Sequence, residues 1–327
     1  MSPRNVHMHH TTIRNSAITK RSHFLTVFTL FGLVLALFGC RTSTHGATDG
    51  SVPPSRELVD LRSRILAYTA RFTPGGNYTP PDRGERERIA QGVGRLLDGH
   101  AKDAERLLAD VGLGITRLTD TASGRRYDEI AAVRSGVAEH WGRLYLNADS
   151  ALRWSVQVPH PVADRDTELL GVRLLEDTPG GALVMAGAHR KAGRNGAADV
   201  SHREDSAFHT VIVELQRRGV PGLQLHGFAR TSQRPYEAVV STGAARSVLD
   251  ETSALADRME AHGLRVCRAW SARCPVEGTT NVQGRSAQRQ HAEFVHVELA
   301  PGARGHGKDA DAAAAALSGL TADWRDR

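Results

Sequence analysis

Four apolar stretches of the chain each run into a residue that can carry a proton or bind a metal. Ser155–Pro159 leads to His160, Val184–Ala188 to His189, Leu223–Leu225 to His226, and Phe294–Val297 to Glu298. In open α/β sheets, ligands bind beyond the carboxyl ends of the strands, so strands that each deliver such a residue there point to one shared site. A catalytic zinc takes three nitrogen or oxygen ligands and keeps one open position. His160 with a carboxylate after it (Asp164, Asp166 and Glu168 follow) and a distant histidine such as His226 supply that set. Glu298 then stands free to act as general base on water, and its apolar neighbours Val295, Val297 and Leu299 argue against a merely solvated position. His189, followed by Asp199 and His202 three residues apart, forms a second constellation. It is suited to lining the pocket or to orienting the metal ligands from behind. His209 reads as structural.

Positioning these groups requires an α/β domain, expected over residues 113–304. Two hairpins come first, ITRLTD with RRYDEIAAV and GRLYLN with LRWSVQVPH. Strands then alternate with helices at Ser206–Arg218 and Ala244–His262, which implies a mixed, mostly parallel central sheet flanked by helices. Ahead of it, residues 55–112 show helical spacing (Leu58, Leu61, Ile65, Leu66) broken at Pro74-Gly75-Gly76, Gly99 and Gly112, a small helical segment with no evident chemistry. Residues 305–327 read as a C-terminal helical tail from Asp309.

The formal net charge of +6 is concentrated at the start. Residues 1–39 carry Arg4, Arg14, Lys20 and Arg21 and no acid, leaving 38 basic against 36 acidic residues elsewhere. No nucleic-acid partner is expected from so even a balance. Phe24–Phe38 is an uncharged, mostly apolar run, too short for an ordinary membrane span, that follows Lys20-Arg21 and ends in Leu-Phe-Gly-Cys40. Residues 1–39, starting from Met1 or Met8, resemble a bacterial lipoprotein signal. That implies acylation of Cys40 (a palmitate-type anchor) and a protein held on the extracytoplasmic face of the cell membrane. Residues 40–54, rich in Ser, Thr, Gly and Pro, are a flexible tether. Cys267 and Cys274 would close a small disulfide in that oxidising setting. There is no G-x-S-x-G elbow, P-loop, HExxH or dinucleotide fingerprint.

The segments VPHPVADRDTE, LQLHGF with VVSTG downstream, TTNVQGR and EFVHVELAPGAR resemble, in that order, the poly-γ-glutamate hydrolase family, whose fold is similar to that of zinc carboxypeptidases. The resemblance spans about residues 150–304. It implies one zinc ion held by His160, His226 and a carboxylate of the first motif, Glu298 as the catalytic carboxylate, and Arg285 as a substrate-binding residue. Where the carboxypeptidases place a glutamate three residues after the first histidine this chain has Ala163. Glu168, which matches the Thr-Glu closing the motif, is preferred as third ligand, with Asp164 as its alternative. Arg304, His189 and His202 are further candidates for contacting substrate. The function expected is an exported, lipid-anchored zinc hydrolase of a γ-glutamyl or peptide amide bond. The alternative is a non-catalytic binding lipoprotein on the same fold with a degenerate metal site.

Overall fold

The computed structural model describes residues 56–231, 235–245 and 249–327. The signal run, Cys40 and the tether lie outside the described residues. All of the described residues belong to one compact unit, Pro53–Arg327. Among them no helix is long and apolar enough to cross a membrane.

Ten strands form one mixed sheet: β1 (Glu57–Val59), β2 (Leu113–Asp120), β3 (Arg126–Ala132), β4 (Arg143–Asn147), β5 (Trp154–Val158), β6 (Gly181–Met185), β7 (Gly222–Gly227), β8 (Ala238–Ser241), β9 (Val266–Arg268) and β10 (Phe294–Leu299). Their spatial order is β1-β2-β3-β4-β6-β5-β7-β10-β8-β9. The middle run β6-β5-β7-β10 is parallel throughout. It is flanked by antiparallel pairings on both sides, with β4 beyond β6 and β8 beyond β10.

One helical layer holds α1 (Leu61–Thr69), α4 (Thr167–Asp177), α6 (Asp250–Ala261) and α8 (Lys308–Arg325); α4 and α6 both pack on α8, and α1 on α4. The other holds α2 (Arg83–Leu97), α3 (Ala101–Ala109), α5 (Ala207–Arg217) and α7 (Val282–Gln290), with α5 touching both α2 and α7. The early helices are therefore built into the two layers. Gly99 and Gly112 follow α2 and α3 with φ of 80° and 76°, a left-handed conformation that costs glycine little.

Two differences from the sequence reading have local causes. The first is that helical spacing at residues 55–66 conceals a break: Glu57–Val59 pairs in parallel with Leu118–Asp120, and α1 begins only after Asp60, whose carboxylate accepts from Ser63 N–H at 2.6 Å. Leu58 is consequently exposed. The second is that β4 and β5 are not a hairpin. After β5 the chain crosses through α4 and returns as β6 between them, so β4 pairs with β6 and β5 with both β6 and β7.

Strand alternation divides the centre of the sheet. Toward α4 and α8, Val156, Val158, Leu223, Leu225, Val295 and Val297 form a continuous apolar core with Leu174, Leu317 and Trp324. Each large aliphatic side chain fully buried there stabilises the fold by about 1.5–3 kcal/mol. Toward α7, the alternate positions of the same strands are Gln157, Gln224, His226, His296 and Glu298, and these too are buried. An unpaired polar group in such a place costs about 1–3 kcal/mol, so each of them needs a partner.

Candidate metal centre

Register brings the candidates together. Along the parallel β7–β10 pair His226 lies opposite Glu298 and Gln224 opposite His296, while Gln157 on β5 pairs with Gln224. His160 lies just past the end of β5, at the start of a tight loop to α4. In that loop Asp164 N–H bonds back to His160 C=O at 2.8 Å and Thr167 N–H to Asp164 C=O at 3.2 Å. The turn is sharp enough to put Val162 and Asp166 at φ of 68° and 72°. Such backbone is unfavourable for a β-branched side chain and is retained where the surroundings over-determine it. Its effect is to fold Asp164 over onto His160.

The Asp164 Oδ2 atom is 3.2 Å from His160 Nδ1 and 3.3 Å from His226 Nδ1. Ligand atoms bound about 2.1 Å from a tetrahedral zinc lie about 3.4 Å apart, so these separations come close to what that ion needs. Burial alone would push the Asp164 carboxyl up, but its contacts with the two histidines outweigh it and hold the group well below the usual carboxylate range. Burial takes His226 down to about 4 and His296 well below its ordinary value. At neutral pH the set is thus an ionised carboxylate facing a neutral His226 imidazole, the protonation a metal site needs.

The outer edges of both rings are also engaged. His160 Nε2 lies 2.7 Å from Asp199 Oδ1 and 3.1 Å from Ser201 Oγ. His226 Nε2 lies 2.8 Å from Gln224 Oε1. Each histidine thus has one partner at Nε2 and Asp164 at Nδ1. A histidine ligand whose other nitrogen donates to a fixed acceptor is the usual arrangement around a metal.

A second group of donors, His226, His296 and Glu298, lies within the same reach. Both groups draw on His226, and a neutral imidazole has one lone pair, so they cannot both be filled through it. The His226 and His296 rings lie 4.7 Å apart, and His296 Nδ1 lies 3.4 Å from Ser241 Oγ.

Glu168 is buried on the first turn of α4, and its Oε2 meets Val162 N–H at 3.5 Å. Burial raises its pKa. The carboxylate that meets both histidines is Asp164. Arg304, after β10, is buried with its Nη2 3.5 Å from Phe228 C=O and its Nε without a partner. Burial lowers its pKa against the opposing pull of Asp164, Asp166, Glu298 and Glu168, which puts a guanidinium beside the acids of the centre. Arg285 is exposed on α7, because the inward positions of that helix go to Val282, Gln283, Gly284, Ser286 and Ala287. His189 is half-buried and its Nδ1 accepts from Lys191 N–H. The mostly exposed His202 places Nδ1 3.1 Å from Asp199 Oδ2. His209 is buried on α5 with Nδ1 3.3 Å from Gln283 Nε2.

Several participants escaped the sequence reading. Arg190 directs Nη1 to His160 Nδ1 at 3.2 Å and Nη2 to Asp199 Oδ2 at 2.9 Å, and it retains partial exposure. Its position directly after His189 was the available signal. Gln157 and Gln224 look like outward strand positions until α7 is seen to cover them. The Cys267–Cys274 disulfide closes the segment leading to Glu277 and Gly278. Gly278, at φ 70°, lies so close to the His296 ring that a Cβ there would be 2.6 Å from Nε2.

No family model and no curated protein matches the chain. Among solved structures, a metallo-carboxypeptidase from Burkholderia cenocepacia is 13% identical over 76% of this chain and 70% of its own, with a TM-score of 0.37. A succinylglutamate desuccinylase from Silicibacter sp. TM1040 is 11% identical over 65% and 70%, with a TM-score of 0.38. The zinc-free form of YNDL is 12% identical over 56% and 89%, with a TM-score of 0.36. These likenesses are loose, and the centre stands on this chain's own residues.

Proposed function

We propose that this chain is a zinc-dependent hydrolase of an amide bond, its ion held by His160, Asp164 and His226. The observation that carries the reading is the single Asp164 oxygen placed 3.2 and 3.3 Å from the Nδ1 atoms of two buried histidines. A zinc ion held there supplies a Lewis acid that polarises a carbonyl and makes water acidic enough to attack near neutral pH.

The remaining work falls to the chain's own residues. Glu298, register partner of His226, takes the proton of the attacking water on its carboxylate and passes it to the departing nitrogen. Arg190, partly exposed and clamped by Asp199, is placed to bind a substrate oxygen or carboxylate, for which its planar fork is suited. Arg304 sets the charge balance around Glu298 and Asp164. The resemblance in the four sequence segments favours a γ-glutamyl or peptide substrate. The run ending at Cys40 favours an exported chain anchored by lipid at the membrane surface, near cell-wall peptides or secreted γ-linked polymers. Asp164 meeting both histidines favours this reading over the alternative of a binding protein with a degenerate metal site.

The test is metal content and turnover of the full chain. About one zinc per chain, with release of amine from γ-glutamyl or peptide substrates, supports the reading. A folded protein that takes up no zinc on loading overturns it.

A further inference from the structure

The row of buried amides behind His226 has two ends, and both are anchored on backbone atoms whose hydrogen-bonding sense is fixed. At one end, Asn281 caps α7: its Oδ1 accepts from Gln283 N–H and Gly284 N–H, both at 3.0 Å. Backbone N–H groups only donate, so the Asn281 oxygen must face the helix and its Nδ2 must face away. That Nδ2 donates to Gln224 Oε1 in a close contact. At the other end, Val200 C=O only accepts. Gln283 therefore turns its Nε2 to Val200 O at 2.9 Å and presents Oε1 to Gln224 Nε2 at 3.4 Å. Gln224 Nε2 also donates to Gln157 Oε1 at 3.1 Å.

Both ends impose the same orientation on the Gln224 amide, with its oxygen toward Asn281 and its nitrogen toward Gln283 and Gln157. The oxygen that Asn281 fixes is the atom facing His226 Nε2 at 2.8 Å. Both ring nitrogens face acceptors, Nε2 the Gln224 oxygen at 2.8 Å and Nδ1 Asp164 Oδ2 at 3.3 Å. The shorter contact, held by the amide row, takes the single proton of the neutral ring and leaves the lone pair on Nδ1.

We infer that Asn281 and Gln224 are positioning residues that set the tautomer of His226, so that the N-cap of α7 programs a metal ligand two side chains away. This rests on the reading of His226 as a zinc ligand. It adds a job for the Asn281-Val-Gln-Gly segment that neither Arg285 nor helix capping explains. A cap by itself needs only the oxygen of residue 281. The tautomer needs the amide nitrogen as well.

Asn281→Asp separates the two jobs. An aspartate still accepts from the two N–H groups, so the helix stays capped, but it has no proton to give Gln224. The Gln224 amide then reverses to donate toward the new carboxylate, giving up its long contact with Gln283 while the Gln157 amide turns over to donate to it, and presents a donor to His226 Nε2. The His226 proton moves to Nδ1, into the path of the metal. The side-chain ¹⁵N shifts of His226 in the metal-free full chain read the tautomer directly, and zinc affinity against a competing chelator reads its consequence. We expect an Nε2-bound proton in the wild type and an Nδ1-bound proton in Asn281→Asp. The variant should bind zinc about 10–100-fold more weakly at an unchanged Tm, the range usual for partners behind a ligand.

An Nδ1-bound proton in the wild type overturns the inference whether or not the variant folds. So does a folded Asn281→Asp with wild-type tautomer and affinity. A wild type that binds no zinc but carries the Nε2 proton overturns the proposed function and leaves the tautomer device standing.

Discussion

His160 and Asp199 lie 2.7 Å apart, nitrogen to oxygen, on the edge of the imidazole opposite Asp164. Asp199 is held in turn by Arg190 and His202. Burial would raise its pKa, but the hydrogen bonds from His160 and His202 and the nearby positive charge hold it far below the ordinary range, so it stays a carboxylate. Asp199→Asn keeps the shape and weakens the acceptor. Zinc affinity should fall about 10–100-fold, measured by competition with a chelator, with little change in Tm.

Asp164 and Glu168 are four residues apart, both buried, and placed differently by the loop. Asp164→Asn should reduce zinc affinity by more than the ~100-fold typical of an outer partner, because it removes a ligand. Glu168→Gln should leave bound zinc near wild-type level in elemental analysis. Equal losses in both variants would contradict the assignment.

Glu298 lies opposite His226 in register and is assigned no place among the metal ligands. Glu298→Gln should retain zinc and lose about 10²–10⁴-fold in kcat, the usual worth of a positioned proton carrier. Single-turnover release of amine from a γ-glutamyl or peptide substrate gives the measurement. Loss of zinc together with activity would place Glu298 in the ligand set instead.

His209 links stability to pH. Burial lowers its pKa from the ordinary 6.5 to about 4. The unfolded chain therefore takes up a proton that the folded chain refuses, and stability present above pH 6.5 is lost as pH falls toward 4. The loss from this histidine reaches about 2 kcal/mol by pH 5. Denaturant unfolding at pH 7.5 and pH 5 should show it, and His209→Gln should flatten the difference by a similar amount.

The disulfide holds the segment that covers His296. Removing it with Cys274→Ser opens a short loop and should cost about 2–3 kcal/mol in the chain-entropy picture. Denaturant midpoints under oxidising conditions compare the two chains. An unchanged midpoint would show that packing of Cys267 and Cys274 against Phe228 and Val239 suffices.

Much of this was legible in the residues. Alternation in SVQVPH, LQLHG and FVHVEL marked three central strands and placed His160, His226 and Glu298 at one end of the sheet. What alternation could not carry was pairing at a distance. The insertion of β6 between β4 and β5 follows from a crossover, and nothing local to GRLYLN announces it. The three-residue β1 is too short to show a period. That Asp164 rather than Glu168 meets both histidines depends on two left-handed residues in one turn, and neither is a glycine whose presence would have signalled it. Asn281 stood in a quoted segment, but sequence favoured the charged Arg285 because charge suggests ligands more readily than a cap does.

Val162 has a further consequence for anyone who evolves or engineers this chain. A glycine adopts φ near 68° without the penalty of about 1–2 kcal/mol that a side chain incurs there. Selection for heat resistance alone would therefore favour Val162→Gly. The same exchange would free the loop that presses Asp164 against His160, so hardier descendants would hold that carboxylate less firmly on the histidine. Position 162 is where robustness and a preset Asp164–His160 contact pull the lineage in opposite directions.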